Sequence, residues 1–273
     1  MSKRELFSIA GGVVFTAAVL FCAPHRAVAS VPGHGAAHAD DSGRSERSPA
    51  AAKVATMAQG DQGNQNDQGN CGISADWRVV PSCASPFGAT YPEWSQSWWQ
   101  WFFHQTAWPD GVSADCSAHQ LGPVWFLVGG APNNPINCTV PVGKALFFPI
   151  LNVECSSLEA PPFFGSTAAD RRTCAKGIMD TATGLQVTID GVAVQNLTSF
   201  RVATPDFEFT VPDGNIASIP TDVSHSGKSS ADGYYLMLTP LTPGKHTLHF
   251  TGTIPPFGYT LVTDYTLTVK AGW

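Results

Sequence analysis

The chain has 273 residues, 43% hydrophobic and only 13% charged, with 15 basic against 21 acidic side chains and a net charge of −6. No basic run occurs anywhere in it, which makes nucleic acid and anionic membrane surfaces poor partners. An apolar share of that size, spread in short runs, points to a globular core rather than a membrane bundle.

The first element is an export signal, predicted over residues 1–29. Lys3 and Arg4 form a positive region, an apolar run follows from Leu6 to Cys22, and Ala27-Val28-Ala29 supplies the small residues a signal peptidase needs before Ser30. The run is short and rich in Gly and Ala for a membrane span. Phe21 beside Cys22 argues against a lipid anchor, and no twin arginine is present. Removal of this segment leaves 12 basic and 20 acidic residues, a net charge of −8.

Residues 30–70 are dominated by Ala, Gly, Ser, Asp and His and end in DQGNQNDQGN. They lack the apolar surface to offset chain entropy, so a disordered linker is expected, with His34 and His38 solvated in it. The folded domain is then 71–273. It holds Cys71, Cys83, Cys116, Cys138, Cys155 and Cys174, an even number without any CxxC pair and without zinc-ribbon spacing. In an exported chain this predicts three disulfides, whose pairing among fifteen possibilities is left open.

Next comes WSQSWWQWFFHQ, residues 94–105. Thr90 and Glu93 have capping-box spacing and Pro92 suits a first helical turn. At about 100° per residue the rings of Trp94, Trp98, Trp99, Trp101, Phe102 and Phe103 cover most of the helix, leaving a polar stripe of Glu93, Gln96, Ser97, Gln100 and His104. The rings are expected to be core, docked on a sheet, with the polar stripe lining whatever site exists and either end able to border a cleft. Glu93 and His104 lie about 16 Å apart along the axis, too far to act together.

From there the chain reads as strand. VWFLV (124–128) and ALFF (145–148) are buried runs bounded by Gly and Pro, and LQVTIDGVAV (185–194) is a hairpin turning at Asp190-Gly191. FEFTV, YYLML and HTLHF continue the pattern. In the last strand Tyr259, Leu261, Thr263, Tyr265, Leu267 and Val269 share one face. The fold class predicted is mainly β, an antiparallel sandwich or jelly roll with one amphipathic Trp-rich helix packed on it.

The segments WSQSWWQWFF, GPVWFLVG, CTVPVGKALFFPILNVEC, ADGYYLMLTPLTPGKHTLHFTG and DYTLTV together resemble a largely uncharacterised family of exported bacterial proteins with a Trp-rich helix and a jelly-roll-like C-terminal region. The resemblance covers most of 90–270. It implies domain extent and export, and no catalytic residue.

No HExxH, GxSxG, Walker or dinucleotide motif is present. A carboxylate site is one candidate: Glu154 at a strand end, with Asp206, Glu208 and His104, would suit acid/base cleavage of a glycosidic bond. A metal site is a second. His246 and His249 point to opposite faces, His225 and Asp232 are reachable partners, and loop oxygens of Asp213, Asn215, Asp222 and Asp232 offer a structural calcium; otherwise no cofactor is expected. A binding face is the third, with Glu93, Gln100, Trp108, Tyr234, Tyr235 and Tyr259 as ligand contacts, adjacent Tyr234 and Tyr235 allowing only one outward ring. The leading expectation is a secreted or periplasmic binding module for polysaccharide or another envelope component. A carbohydrate-active hydrolase or lyase and a structural cell-surface protein are the alternatives.

Overall fold

The structure is a computed structural model describing residues 76–106, 116–130, 135–222 and 224–270. The expected signal, cleavage site and linker lie outside the described residues, as do Cys71 and Trp108. Among the described residues, eleven strands form two packed sheets. In the first, β9 (Ser226–Leu238) is central. On one side it pairs with β4 (Ala145–Ser156), which continues in parallel to β2 (Val124–Phe126). Its other edge is shared in succession by three short strands, β1 (Val79–Val80), β7 (Arg201–Ala203) and β8 (Phe207–Thr210). The second sheet runs β3 (Ile136–Pro141), β11 (Tyr259–Lys270), β10 (Gly244–Ile254), β5 (Thr183–Ile189), β6 (Val192–Ala193).

The β-sandwich class is as the alternation predicts, with one correction: the sheets are mixed, because β2–β4 and β3–β11 pair in parallel. Parallel neighbours need long connections, and none of the hairpin signals along the chain reports them. Pro149 in mid-strand has no N–H to give the ladder, and the β4–β9 register shifts by one residue between Pro149 and Leu151. The predicted hairpin forms, with Asp190 and Gly191 at φ 51° and 76°, as a tight right-twisting turn requires. The outer face of β11 alternates with a buried face that includes Thr263, whose hydroxyl accepts from the Gly130 amide at 2.9 Å.

The helix α1 (Tyr91–Phe103) opens on the predicted capping box, with the Thr90 amide donating to Glu93 Oε2 at 2.9 Å. It covers the face of the first sheet that points away from the second. Each tryptophan of the run buries its ring and still finds an acceptor for its indole N–H, since a buried donor left unpaired is costly. Trp94 donates to the Pro86 carbonyl, Trp98 to Leu127, Trp101 to Ala118, and Trp99 to the Tyr235 hydroxyl, all at 2.8–3.0 Å. Tyr235 in turn stacks on Phe147, centroids 5.5 Å apart. On the opposite face, Phe148 meets Phe250 at 5.0 Å between the sheets.

A second helix, α2 (Ala168–Met179), was not predicted from sequence. It packs on β4 and β9, buries only Arg171, Ala175 and Met179, and is tied to β4 by the Cys155–Cys174 disulfide. The other described disulfide joins Cys116 to Cys138, and Cys83 is also disulfide-bonded. Among the described residues no helix is long and apolar enough to cross a membrane.

Candidate functional site

The carboxylates nominated from sequence do not meet. Ser229 and Ser230 are neighbours in β9, so they point to opposite faces. The Ser229 hydroxyl donates to Glu154 Oε2 at 2.5 Å, whereas that of Ser230 donates to Asp206 Oδ1 at 2.8 Å. The first sheet therefore stands between Glu154 and Asp206. Asp206 is engaged by Arg171 of α2 in a two-pronged pair, Nε to Oδ1 and Nη2 to Oδ2, both 2.8 Å. That guanidinium holds the Asp206 carboxyl below its ordinary value. Glu208 is exposed and lies 3.5 Å from Lys228. His104 is exposed at the end of α1, bonded to the Gln100 carbonyl and Thr210. The four-residue catalytic set is thus corrected to four separate roles.

What Glu154 does meet is Glu159, five residues on, which the sequence reading passed over. Glu154 is 2% exposed, and the two carboxyls hydrogen-bond each other. Burial raises both above the ordinary carboxyl range, and the charge of Glu154 raises Glu159 further.

The binding-face nominees divide in a similar way. Tyr235 is fully buried beneath α1, and Tyr234 is buried on the other face with the Arg201 guanidinium 6.0 Å from its ring centroid. Neither phenol faces out, because β9 is covered on both sides. Tyr259 is half-buried, its hydroxyl raised well above the usual phenol range by desolvation. Glu93 is engaged in the helix cap. Gln100 donates to the Glu208 carbonyl at 3.0 Å and so braces α1 against β8.

Most of the metal and calcium candidates already have partners, Asp213 among them, which accepts from the Thr221 hydroxyl at 2.7 Å. His246 bonds Asp190, His249 bonds Asp264, and His225 meets the Val211 carbonyl. Asp232 is paired with Arg201 at 2.8 Å, and both polar atoms of the Asn215 amide bond nearby backbone. Among the described residues no group of three or more His, Cys, Asp or Glu side chains is placed to hold a metal ion.

A different place has the geometry of a ligand site. Just before β1, Arg78 grips both oxygens of Asp76 at 3.0 and 2.7 Å and also donates to the Ile189 carbonyl at 2.9 Å, joining the edge of one sheet to the other. The Asp76 carboxyl is held below its ordinary value by those bonds. Trp77, between them, is left 75% exposed. It borders a cleft of about 660 Å³ whose lining includes Val192, Gln195, Asn196 and Phe200. Asn196 is in the left-handed region at φ 57° and starts a 3-10 turn without a side-chain cap bond. Gln195 and Asn196, both exposed, are among the residues that line the cleft with the Trp77 ring. The sequence reading missed Trp77, since a lone tryptophan in a polar stretch has no periodicity to mark it.

No family model matches the chain, and no curated relative matches it. Two solved structures align with part of it. One is the cysteine protease inhibitor EhICP2 from Entamoeba histolytica, 9% identical over 49% of this chain and 86% of that one, with a TM-score of 0.18. The other is Amebosin, solved in solution, 11% identical over 54% of this chain and 96% of that one, with a TM-score of 0.19. Neither likeness assigns a family. At such scores neither bears on activity, and the site rests on its own geometry.

Proposed function

We propose that the protein is an exported binding module, acting outside the cell or in the periplasm, whose cleft at Trp77 takes the sugar rings of a polysaccharide or another envelope component. The observation that carries this reading is the exposed indole at the rim of a cleft. An exposed indole is a natural stacking platform for the C–H face of a pyranose. The amides of Gln195 and Asn196 supply donors and acceptors for hydroxyls. Asp76 and Arg78 neutralise each other, which favours an uncharged polymer. The signal-like N-terminus and the disulfides support export. The hydrolase or lyase reading loses its motive, because Glu154 and Asp206 lie on opposite faces of a sheet.

The test is to titrate the protein with a panel of neutral and acidic soluble polysaccharides, following retention on the polymer and new small products by mass spectrometry. Wild type is expected to be retained on a neutral polymer without products. Trp77→Ala should weaken retention by about tenfold or more, on the order of 1.4 kcal/mol, while Glu208→Gln, on a strand paired with the other end of β9, leaves it unchanged. Equal retention of Trp77→Ala and wild type would remove the cleft from the argument. New oligosaccharides that disappear in Glu154→Gln would make the protein an enzyme instead.

A further inference from the structure

Glu154 and Glu159 take no part in the cleft at Trp77. Glu154 projects from the end of β4, and Glu159 reaches it from the loop 157–165, which folds back over the strand. The ends of that loop are tied by the Ser156 amide to the Phe163 carbonyl and the Gly165 amide to the Ser156 carbonyl, both 2.9 Å. The Ser156 hydroxyl donates to Glu159 Oε2 at 3.0 Å and accepts from the amides of Leu158 and Glu159 at 3.3 Å. Leu158 packs over Gly227, where an added Cβ would come within 2.7 Å of its Cγ. Ser157 ties the start of the loop to β9, its amide donating to the Lys228 carbonyl at 2.9 Å and its hydroxyl accepting from the Lys228 amide at 3.0 Å, and Arg171 ties its end by donating to the Gly165 carbonyl at 3.1 Å. The carboxyl–carboxyl bond holds the stretch between these ends.

Among the described residues, no cation acts on either carboxyl of the pair. From β9 come Ser229 and, further along the same face, Tyr235, a phenol kept neutral by its burial. From β8 comes Phe207, opposite Ser229 in the ladder, with Phe209 beyond it, and from α1 comes Phe103, stacked on Phe209 at 4.2 Å. On the other face of the sheet Lys228 pairs with Glu208, and Arg171 of α2 pairs with Asp206 while its remaining nitrogen donates to the Gly165 carbonyl at the end of the loop.

We propose that Glu154 and Glu159 are a proton-held latch: with a proton between them the loop 157–165 is closed on β4, and loss of that proton opens it. Two ionised carboxylates side by side in apolar surroundings repel without compensation. The closed form binds the proton more tightly than the open form, where both groups are solvated, so opening becomes more favourable as pH rises above the ordinary glutamate value of 4.5. The raised values of both groups agree with that direction.

The experiment is hydrogen exchange on the folded protein from pH 5 to 9, scored as protection factors so that the intrinsic pH dependence of exchange is divided out. The amides of Glu159 and Gly165 in wild type should lose protection by about tenfold or more across the range, one pH unit of linkage for one proton. In Glu159→Gln, whose amide still donates to Glu154 but carries no charge, protection should be flat. Glu154→Gln provides the same comparison from the strand side should the first variant fold poorly. Flat protection in wild type, or an equal decline in both variants, would overturn the latch.

Discussion

Arg171 is 3% exposed, an uncommon place for a cation. Its guanidinium spends every direction it has: two bonds to Asp206, and others to the Gly165 and Ser166 carbonyls at 3.1 and 3.3 Å. Removing one partner of such a pair strands the other as a desolvated charge, whereas the intact pair adds little over an apolar substitute. Arg171→Met is thus expected to lower unfolding free energy by about 3 kcal/mol, read from urea denaturation, and Asp206→Asn by a comparable amount. A loss below about 1 kcal/mol in both would show that the pair is solvated. Asp206 was nominated from sequence as one of a pair of site carboxylates with Glu208, but its partner Arg171 was not. Arg171 lies 35 residues away on a helix that buries only three residues, too few to give an apolar period. Glu154 was similarly nominated for its strand end, while Glu159 sits in a loop whose path back over β4 no local pattern records.

The Trp-rich segment was the most readable element. Thr90, Pro92 and Glu93 mark its start, and the rings face the sheet as the wheel requires. Its polar stripe proved divided. Gln100 bridges to β8, while His104 is exposed at the helix end. Gln100→Ala should therefore cost about 1 kcal/mol, the net worth of one hydrogen bond between elements. His104→Ala should stay within about 0.5 kcal/mol, as surface changes do. Thermal melts of the two variants distinguish them, and equal shifts would contradict the assignment. Helix α2 left a fainter trace: a Thr167–Asp170 capping box and Arg171, Ala175, Met179 at intervals of four. An arginine in the first of those buried positions breaks the apolar signal, because its burial depends on an acid from another element.

At the scale of the molecule, two opposed sets of carboxyls shape the response to pH. Asp206, held below its ordinary value by Arg171, contributes stability above about pH 3.8 that is lost as pH falls through its lowered value. The Glu154–Glu159 pair, raised by burial, does the reverse: its contribution is whole below the ordinary value of 4.5 and is lost as pH rises through the raised values. Melting temperature should pass through a maximum on the mildly acidic side of neutrality and decline toward alkaline pH, with Glu159→Gln flattening only the alkaline limb. A melting temperature that rises steadily from pH 5 to 9 would contradict this balance. The disulfides add a pH-independent share, about 3 kcal/mol each for closed loops of 22 and 19 residues.

Local pattern alone determined the sandwich class, the capped aromatic helix, the Asp190-Gly191 hairpin and the alternation of β11, because each depends on residues a few positions apart. It also named cysteines suited to disulfides, though not their partners. Only the tertiary structure decided the parallel pairings, the second helix, the separation of Glu154 from Asp206 by the sheet, and the Asp76–Arg78 clamp that leaves Trp77 exposed. For the pairings and for the two carboxylates the physical reason is register. Which face of a strand a side chain shares with another depends on register between segments far apart in the chain, and a shift of one residue in that register exchanges the two faces.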